Sequence, residues 1–322
     1  MQRRHFSVLT AAAFLSVGIA PVAALAQDDY PNKPITIIVG YAAGGGTDVM
    51  ARTAAPFLEK YLGAGASVVI KNVPGASGQI GITEVAKAAP DGYTLGTFNL
   101  PGMMARTVDR EAQYSHESFT YLANVVDDPN VIVTAKDSGI DTMEKLIASA
   151  KKNPGGMSVG MSSLGGDDHF ALIKLQQQTH TSFNIIPYKG SAPARTAVMG
   201  GHVNVGIFNI SEVAKFEGEL NVLGIAQDKR SSFAPNVPTF KEQGIKLING
   251  SMRGIVAPKG LPANVERKLI EAFDKAGQDP EFLAAMQATA NPVDMRTGAA
   301  FKELTSGFYD LAKQTWQATP WK

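Results

Sequence analysis

The hydrophobic pattern of this chain switches repeatedly between two periods. Short β-branched runs bounded by Pro or Gly alternate with longer segments whose apolar positions recur at helical spacing. Pro34 to Gly40 (PITIIVG) reads as a buried strand. A Gly-rich turn covers Tyr41 to Thr47, and Asp48 is placed to N-cap an amphipathic helix running to about Tyr61. Ser67 to Lys71 is the next strand. Pro74-Gly75-Ala76-Ser77-Gly78 then turns into a helix ending near Lys87. Pro90-Asp91-Gly92 is turn chemistry, and Tyr93 to Phe98 makes a third strand. This β-α-β-α-β order predicts a parallel sheet with right-handed crossovers.

The alternation then starts again. Strands are expected at Val131 to Ala135, Met157 to Met161, Asn184 to Pro187, Val203 to Phe208, Val222 to Ala226 and Gly254 to Ala257. Helices are expected at Thr142 to Lys152, Asp168 to Gln178, up to Met199, Ala263 to Ala276 and Ala299 to Thr315. In the last of these, Phe301, Leu304, Phe308 and Leu311 fall on one helical stripe, which reads as core. Two α/β units result, with the end of the chain returning to the first. No short-period repeat or low-complexity linker interrupts them.

The first 26 residues have a different pattern. Arg3 and Arg4 precede the uncharged apolar run Leu9 to Ala20, and Ala24-Leu25-Ala26 supplies small residues at a cleavage site. This is the layout of a secretory signal peptide cut after Ala26. The run is short for a membrane anchor of about 20 residues, and Pro21 follows it. Arg3-Arg4-His5-Phe6 also partly resembles a twin-arginine signal. The mature protein is expected in the periplasm.

Composition narrows the function. A chain of 322 residues has room for about two domains. Its 44% hydrophobic and 18% charged residues suit a folded protein. Lys and Arg number 30 against 29 acids, so there is no electrostatic footprint for nucleic acid or an anionic membrane. Without cysteine there can be no disulfide, thiolate nucleophile or iron–sulfur cluster.

Four Gly-rich turns follow strands and open helices, around Gly44-Gly45-Gly46, Ser77-Gly78, Gly165-Gly166 and Gly190-Ser191. Any one of them can be a tight turn and nothing more. Four at equivalent places in two units point to an anion site between the units, because helix N-termini offer free N–H groups and partial positive charge. A phosphate is the rival ligand, but no turn ends in the Gly-Lys-Ser/Thr of a P-loop. His116, His169, His180 and His202 lack zinc-site spacing, and there is no Gly-x-Ser-x-Gly elbow. Asp167-Asp168-His169 suggests a helix cap followed by a packed His. Asp127-Asp128-Pro129 suggests a turn entering a strand. Arg253 is either a solvated charge or a fork for a carboxylate. No set of nucleophile, base and metal emerges, so an enzyme is not expected, nor a cofactor or metal.

Several segments resemble one family. They are Tyr30-Pro31-Asn32-Lys33-Pro34-Ile35-Thr36 through Gly44-Gly45-Gly46-Thr47-Asp48-Val49-Met50-Ala51-Arg52, Asn72-Val73-Pro74-Gly75-Ala76-Ser77-Gly78-Gln79-Ile80-Gly81, and Ala89-Pro90-Asp91-Gly92-Tyr93-Thr94-Leu95. Ser162 to His169, Pro187 to Ala194 and Ala257 to Pro262 continue the match. Together they resemble the Bug-type, TctC-like extracytoplasmic solute receptors of tripartite tricarboxylate transporter systems. The resemblance implies a two-lobed, periplasmic-binding-protein-like α/β fold. Each lobe would be a mainly parallel sheet flanked by helices, with the ligand cleft between them. Residues 27–127 and 251–322 would form the first lobe and residues 128–250 the second.

The same resemblance implies a monomeric receptor that delivers a small carboxylate to membrane permease subunits. The carboxylate could be a mono-, di- or tricarboxylate or an aromatic acid. A receptor feeding a signalling protein is the alternative. Mapped onto this chain, the first-lobe ligand residues would be Tyr41, Gly45, Gly46, Thr47, Asp48, Ser77, Gly78, Thr97 and Asn99. The second-lobe residues would be Ser162, Ser163, Gly165, Gly166, Asp167, Tyr188, Lys189, Gly190 and Asn209. The chain departs from the family pattern at Ala43, Gly166, Asn209, Met252 and Arg253. At Arg253 the family usually has a neutral residue, so Arg253 is expected to meet a second, distal carboxylate.

Overall fold

The computed structural model describes residues 30–109 and 112–318. The expected signal peptide lies outside the described residues. The first α/β unit runs β1 (Ile35–Val39), α1 (Gly46–Leu62), β2 (Val68–Asn72), α2 (Gln79–Lys87), β3 (Thr94–Leu100) and α3 (Gly102–Asp109). A long strand β4 (Phe119–Ala135) leads to α4 (Met143–Lys152), β5 (Ser158–Met161), α5 (Asp167–Thr179), β6 (Asn184–Pro187) and α6 (Ser191–Met199). Then come β7 (Val205–Asn209), the short α7 (Ile210–Val213), β8 (Leu220–Ile225) and β9 (Gly250–Pro258). The chain closes with α8 (Ala263–Gln278), α9 (Pro280–Ala288), β10 (Val293–Thr297) and α10 (Gly298–Ala318).

The expected parallel triplets are present: β2-β1-β3 in one half and β7-β5-β6 in the other. Two antiparallel strands join them. β4 pairs with β9 from Phe119 to Pro129, then with β7 and β8 from Asn130 onward. β9 in turn pairs with β3. One 17-residue strand therefore belongs to both halves. The apolar cores divide the same way. Ile35, Ile37, Leu95, Val125, Ile255 and Phe282 pack in one, and Ile132, Leu146, Val159, Leu172, Ile207 and Leu247 in the other.

Several expectations need correction. Asp127-Asp128-Pro129 is not a turn but lies inside β4. The alternation of Phe119, Tyr121, Ala123 and Val125 carries the strand up to it. Pro129 falls where β4 changes pairing partners, a position that tolerates a missing N–H. Asp48 does not cap α1. Gly45 takes that position, and Asp48 instead accepts from Gly44 N at 2.9 Å and from Arg52 Nε at 3.0 Å. Gly166, not an aspartate, caps α5. Helices α3 and α9 and strand β10 were not expected, since each spans nine residues or fewer.

Candidate functional site

Strands β1 and β5 end at the same face, and each feeds a glycine-rich turn and a helix start. The turn after β1 meets the turn after β6, and the start of α1 meets α7. Ala42 N donates to Lys189 O at 3.1 Å, and Gly46 N donates to Glu212 Oε1 at 3.2 Å. A Cβ on Gly46 would lie 2.7 Å from Glu212 Oε1, so only glycine allows α1 to start this close to the other half. Gly102, at the start of α3, meets the turn before α5. A Cβ there would lie 3.1 Å from Gly166 Cα and 3.2 Å from Gly165 O.

Most of the residues expected at the site gather along this seam. Gly45 backs onto Ser191. Thr47 Oγ1 accepts from Asn99 Nδ2 at 2.8 Å, and Thr97 Oγ1 is buried beside them on β3 without a partner. The Tyr41 ring lies against Gly78, and burial pushes its hydroxyl up to about 12. Ser77 opens the turn into α2. Ser162 donates from both N and Oγ to Asp168 Oδ2 at 2.7 Å, which fixes the turn before α5. His169 Nδ1 accepts from Gly165 N at 3.0 Å rather than merely packing. Two residues contribute no side chain to the seam. Tyr188 packs against the cluster of Val131, Val133, Ala194 and Val198, and Lys189 is exposed and offers only its carbonyl, next to Gly190.

Arg253 is not a solvated charge. It is 1% exposed, its Nη1 lies 2.5 Å from Asp128 Oδ2, and its Nη2 lies 2.7 Å from Asn209 Oδ1 and 3.1 Å from Glu212 Oε1. Asn209 also donates to Asp167 Oδ2 at 2.9 Å. Both Nη atoms of Arg253 are thus held by the protein's own groups. Glu212 was missed, although Asn209-x-x-Glu212 has capping-box spacing and forms one at α7. Arg106 was missed as well. It is fully buried on α3, and among the described residues no carboxylate pairs with it. Its Nη2 reaches Leu164 O at 2.5 Å and Ser163 Oγ at 3.4 Å, while Nε and Nη1 have no partner.

The seam holds more acid than base. Burial, reinforced by Glu212, raises Asp128 from 3.8 to about 6 against the pull of Arg253. Burial also raises Asp167 and Asp168, with Asp167 adding to the rise at Asp168. A carboxyl raised in the folded state binds its proton more tightly there than in the unfolded chain. The native state therefore gains stability as pH falls through the folded value toward 3.8. Each such proton contributes about 1.4 kcal/mol per pH unit in that window. The melting midpoint is expected to be higher at pH 5.5 than at pH 7.5. A midpoint that stays flat or rises toward pH 7.5 would show that these groups are ionised in the native protein.

An apolar cavity of about 490 Å³ lies elsewhere, lined by Ala105, Pro129, Phe170, Met252, Phe308 and Leu311 among others, and it shares none of the expected site residues. Among the described residues no group of three or more His, Asp or Glu is set to hold a metal ion. Nor is any described helix long and apolar enough to cross a membrane.

Two lobes joined by a pair of strands, with glycine-rich helix starts meeting across a cleft, define a periplasmic binding protein. The chain belongs to the tripartite tricarboxylate transporter receptor family, whose sequence model matches residues 50–301. It is 36% identical over 287 residues to the UPF0065 protein in the gbd 5' region of Cupriavidus necator, covering 88% of this chain and 87% of that one. Among solved structures it is similar to the periplasmic binding protein BugD, with a TM-score of 0.84, 28% identity and coverage of 90% and 98%. It is also similar to an adipate-bound R. palustris protein, with a TM-score of 0.82, 26% identity and coverage of 90% and 97%. The family consists of solute receptors, not enzymes.

Proposed function

We propose that this receptor captures a small carboxylate between its lobes and delivers it to a membrane permease of the tripartite tricarboxylate transporter type. The observation that carries the reading is the closure of the two lobes at the starts of α1, α3, α5 and α6, with glycine at each close approach. Helix starts present N–H donors and partial positive charge, which suit a carboxylate. The adipate bound by a structural neighbour supports the same chemistry. Residues 27–127 and 251–322 form one lobe and 128–250 the other, with the hinge at β4 and β9. The chain is exported by its first 26 residues, cut after Ala26, and acts as a monomer in the periplasm. Closing the lobes buries the solute and presents a surface that the permease can distinguish from the open form.

The test is the melting midpoint of residues 27–322 against a panel of small carboxylates and their amides. A ligand at about 100 times its Kd adds roughly 2.7 kcal/mol to the folded state, which raises the midpoint by several degrees. A shift with an acid and none with its amide is the expected result. No shift with any acid, together with a native mass spectrum free of co-purified acid, would refute the reading.

A further inference from the structure

We propose that Arg106 is the charged partner of the bound carboxylate and sets the receptor's requirement for an ionised acid. The inference rests on the receptor reading above, and it names a different guanidinium from Arg253, which was expected to meet a second, distal carboxylate.

Two buried guanidinium groups lie near the seam, and they differ in one respect. Arg253 is neutralised by Asp128 and Glu212 and held by Asn209. Arg106 is 0% exposed, yet among the described residues only a backbone carbonyl and a serine hydroxyl accept hydrogen bonds from it. A buried charge without a counter-charge is costly, and buried polar groups are nearly always paired. Among the described residues two nitrogens of Arg106, Nε and Nη1, have no partner, whereas in Arg253 only Nε lacks one.

The position of these unpaired donors is also specific. Arg106 Nη1 lies where the start of α3 meets the cap of α5, 3.1 Å from the position of a Cβ on Gly102. Nη2 reaches across to the Ser162 to Gly166 turn of the second lobe. The guanidinium therefore sits at the lobe contact, with its open donors beside two helix starts that also favour an anion. Tyr41 is close enough for Arg106 to act on its hydroxyl electrostatically. The Thr97 hydroxyl, on the strand leading into α3, is a further buried group without a partner. An ionised carboxylate would neutralise the cation and occupy its donors. A neutral amide would leave the charge unpaired.

A purely structural role makes a different prediction. If Arg106 only clamps Leu164 and Ser163, removing it weakens every ligand by the same factor. The experiment measures binding of adipate, malate and benzoate, each against its amide, by calorimetry on wild type, Arg106→Gln and Arg106→Lys. Wild type is expected to prefer at least one acid over its amide by about 100-fold. In Arg106→Gln the acid loses about 100-fold and the ratio collapses toward one, as expected when one partner of a buried charge pair is removed. Arg106→Lys keeps a cation and restores part of the ratio.

Weakening of acid and amide by equal factors in Arg106→Gln would overturn the inference and leave the receptor reading standing. Binding of none of the acids by wild type, with none co-purified, would overturn both. Arg106→Met fills a similar volume without charge and gives the same comparison if Arg106→Gln folds poorly.

Discussion

Replacing Arg253 with Met lowers the stability of the protein by about 3–5 kcal/mol, the cost of breaking a buried pair from one side. For a chain of this size the melting midpoint falls by roughly 6–12 °C. The reason lies in what remains. Asp128 is fully buried and Glu212 nearly so, and both lose their cation. Asn209 loses the donor to its Oδ1. Ser211 still donates to Asp128 through its hydroxyl, which offsets only part of the loss. Adding Asp128→Asn to Arg253→Met removes the unpaired charge, so the double variant is expected to melt above the single one. A single variant that melts within 2 °C of wild type would mean that Arg253 contributes little net energy at the seam.

Gly102→Val weakens carboxylate binding by at least tenfold, or about 1.4 kcal/mol, with little change in either lobe. Even a single Cβ at this position approaches Gly166 Cα and Gly165 O more closely than ordinary packing allows, and two further methyl groups cannot fit. Arg106 Nη1 is the end of a flexible side chain and can shift, but the other two neighbours are backbone of the opposite lobe, so the lobes themselves must move apart. The substitution acts on the equilibrium between open and closed forms, and the apparent affinity falls with the closed fraction. Small-angle scattering should show that saturating carboxylate compacts the wild type but not the variant. Equal compaction in both would show that closure does not pass through this contact.

Much of this architecture was legible in the chain. Ile35 to Val39 could be recognised because an uninterrupted β-branched run between Pro34 and Gly40 has few other uses. The helix starts were marked by glycine and the cores by periodicity. The long strand β4 was hidden because Asp127, Asp128 and Pro129 interrupt its apolar pattern, and local propensity treats such residues as a turn. The distant Arg253 and Ser211 together make a buried Asp128 tolerable there. The same limit applied at the site. The turns could be found locally, whereas the difference between Arg253 and Arg106 is set by partners 125 and 58 residues away in sequence. Asp48 shows the converse error. Its residue type suits a cap, but Gly45 took the position and left Asp48 to hold Gly44 and Arg52.

The two-strand junction also sets an order of assembly. Everything β7 and β8 need to pair with β4 has been made once residue 225 emerges, so the second lobe's sheet can form while the chain is still incomplete. The first lobe has to wait. Strand β3 has β1 on one side from early on, but its other neighbour is β9, which begins at Gly250. Until β9 arrives, Thr94 to Leu100 is an open, mostly apolar edge, the kind of surface that recruits other strands. The lobe that starts first is therefore the lobe that finishes last. The interval between β3 and β9 is when the incomplete chain most needs protection from its neighbours.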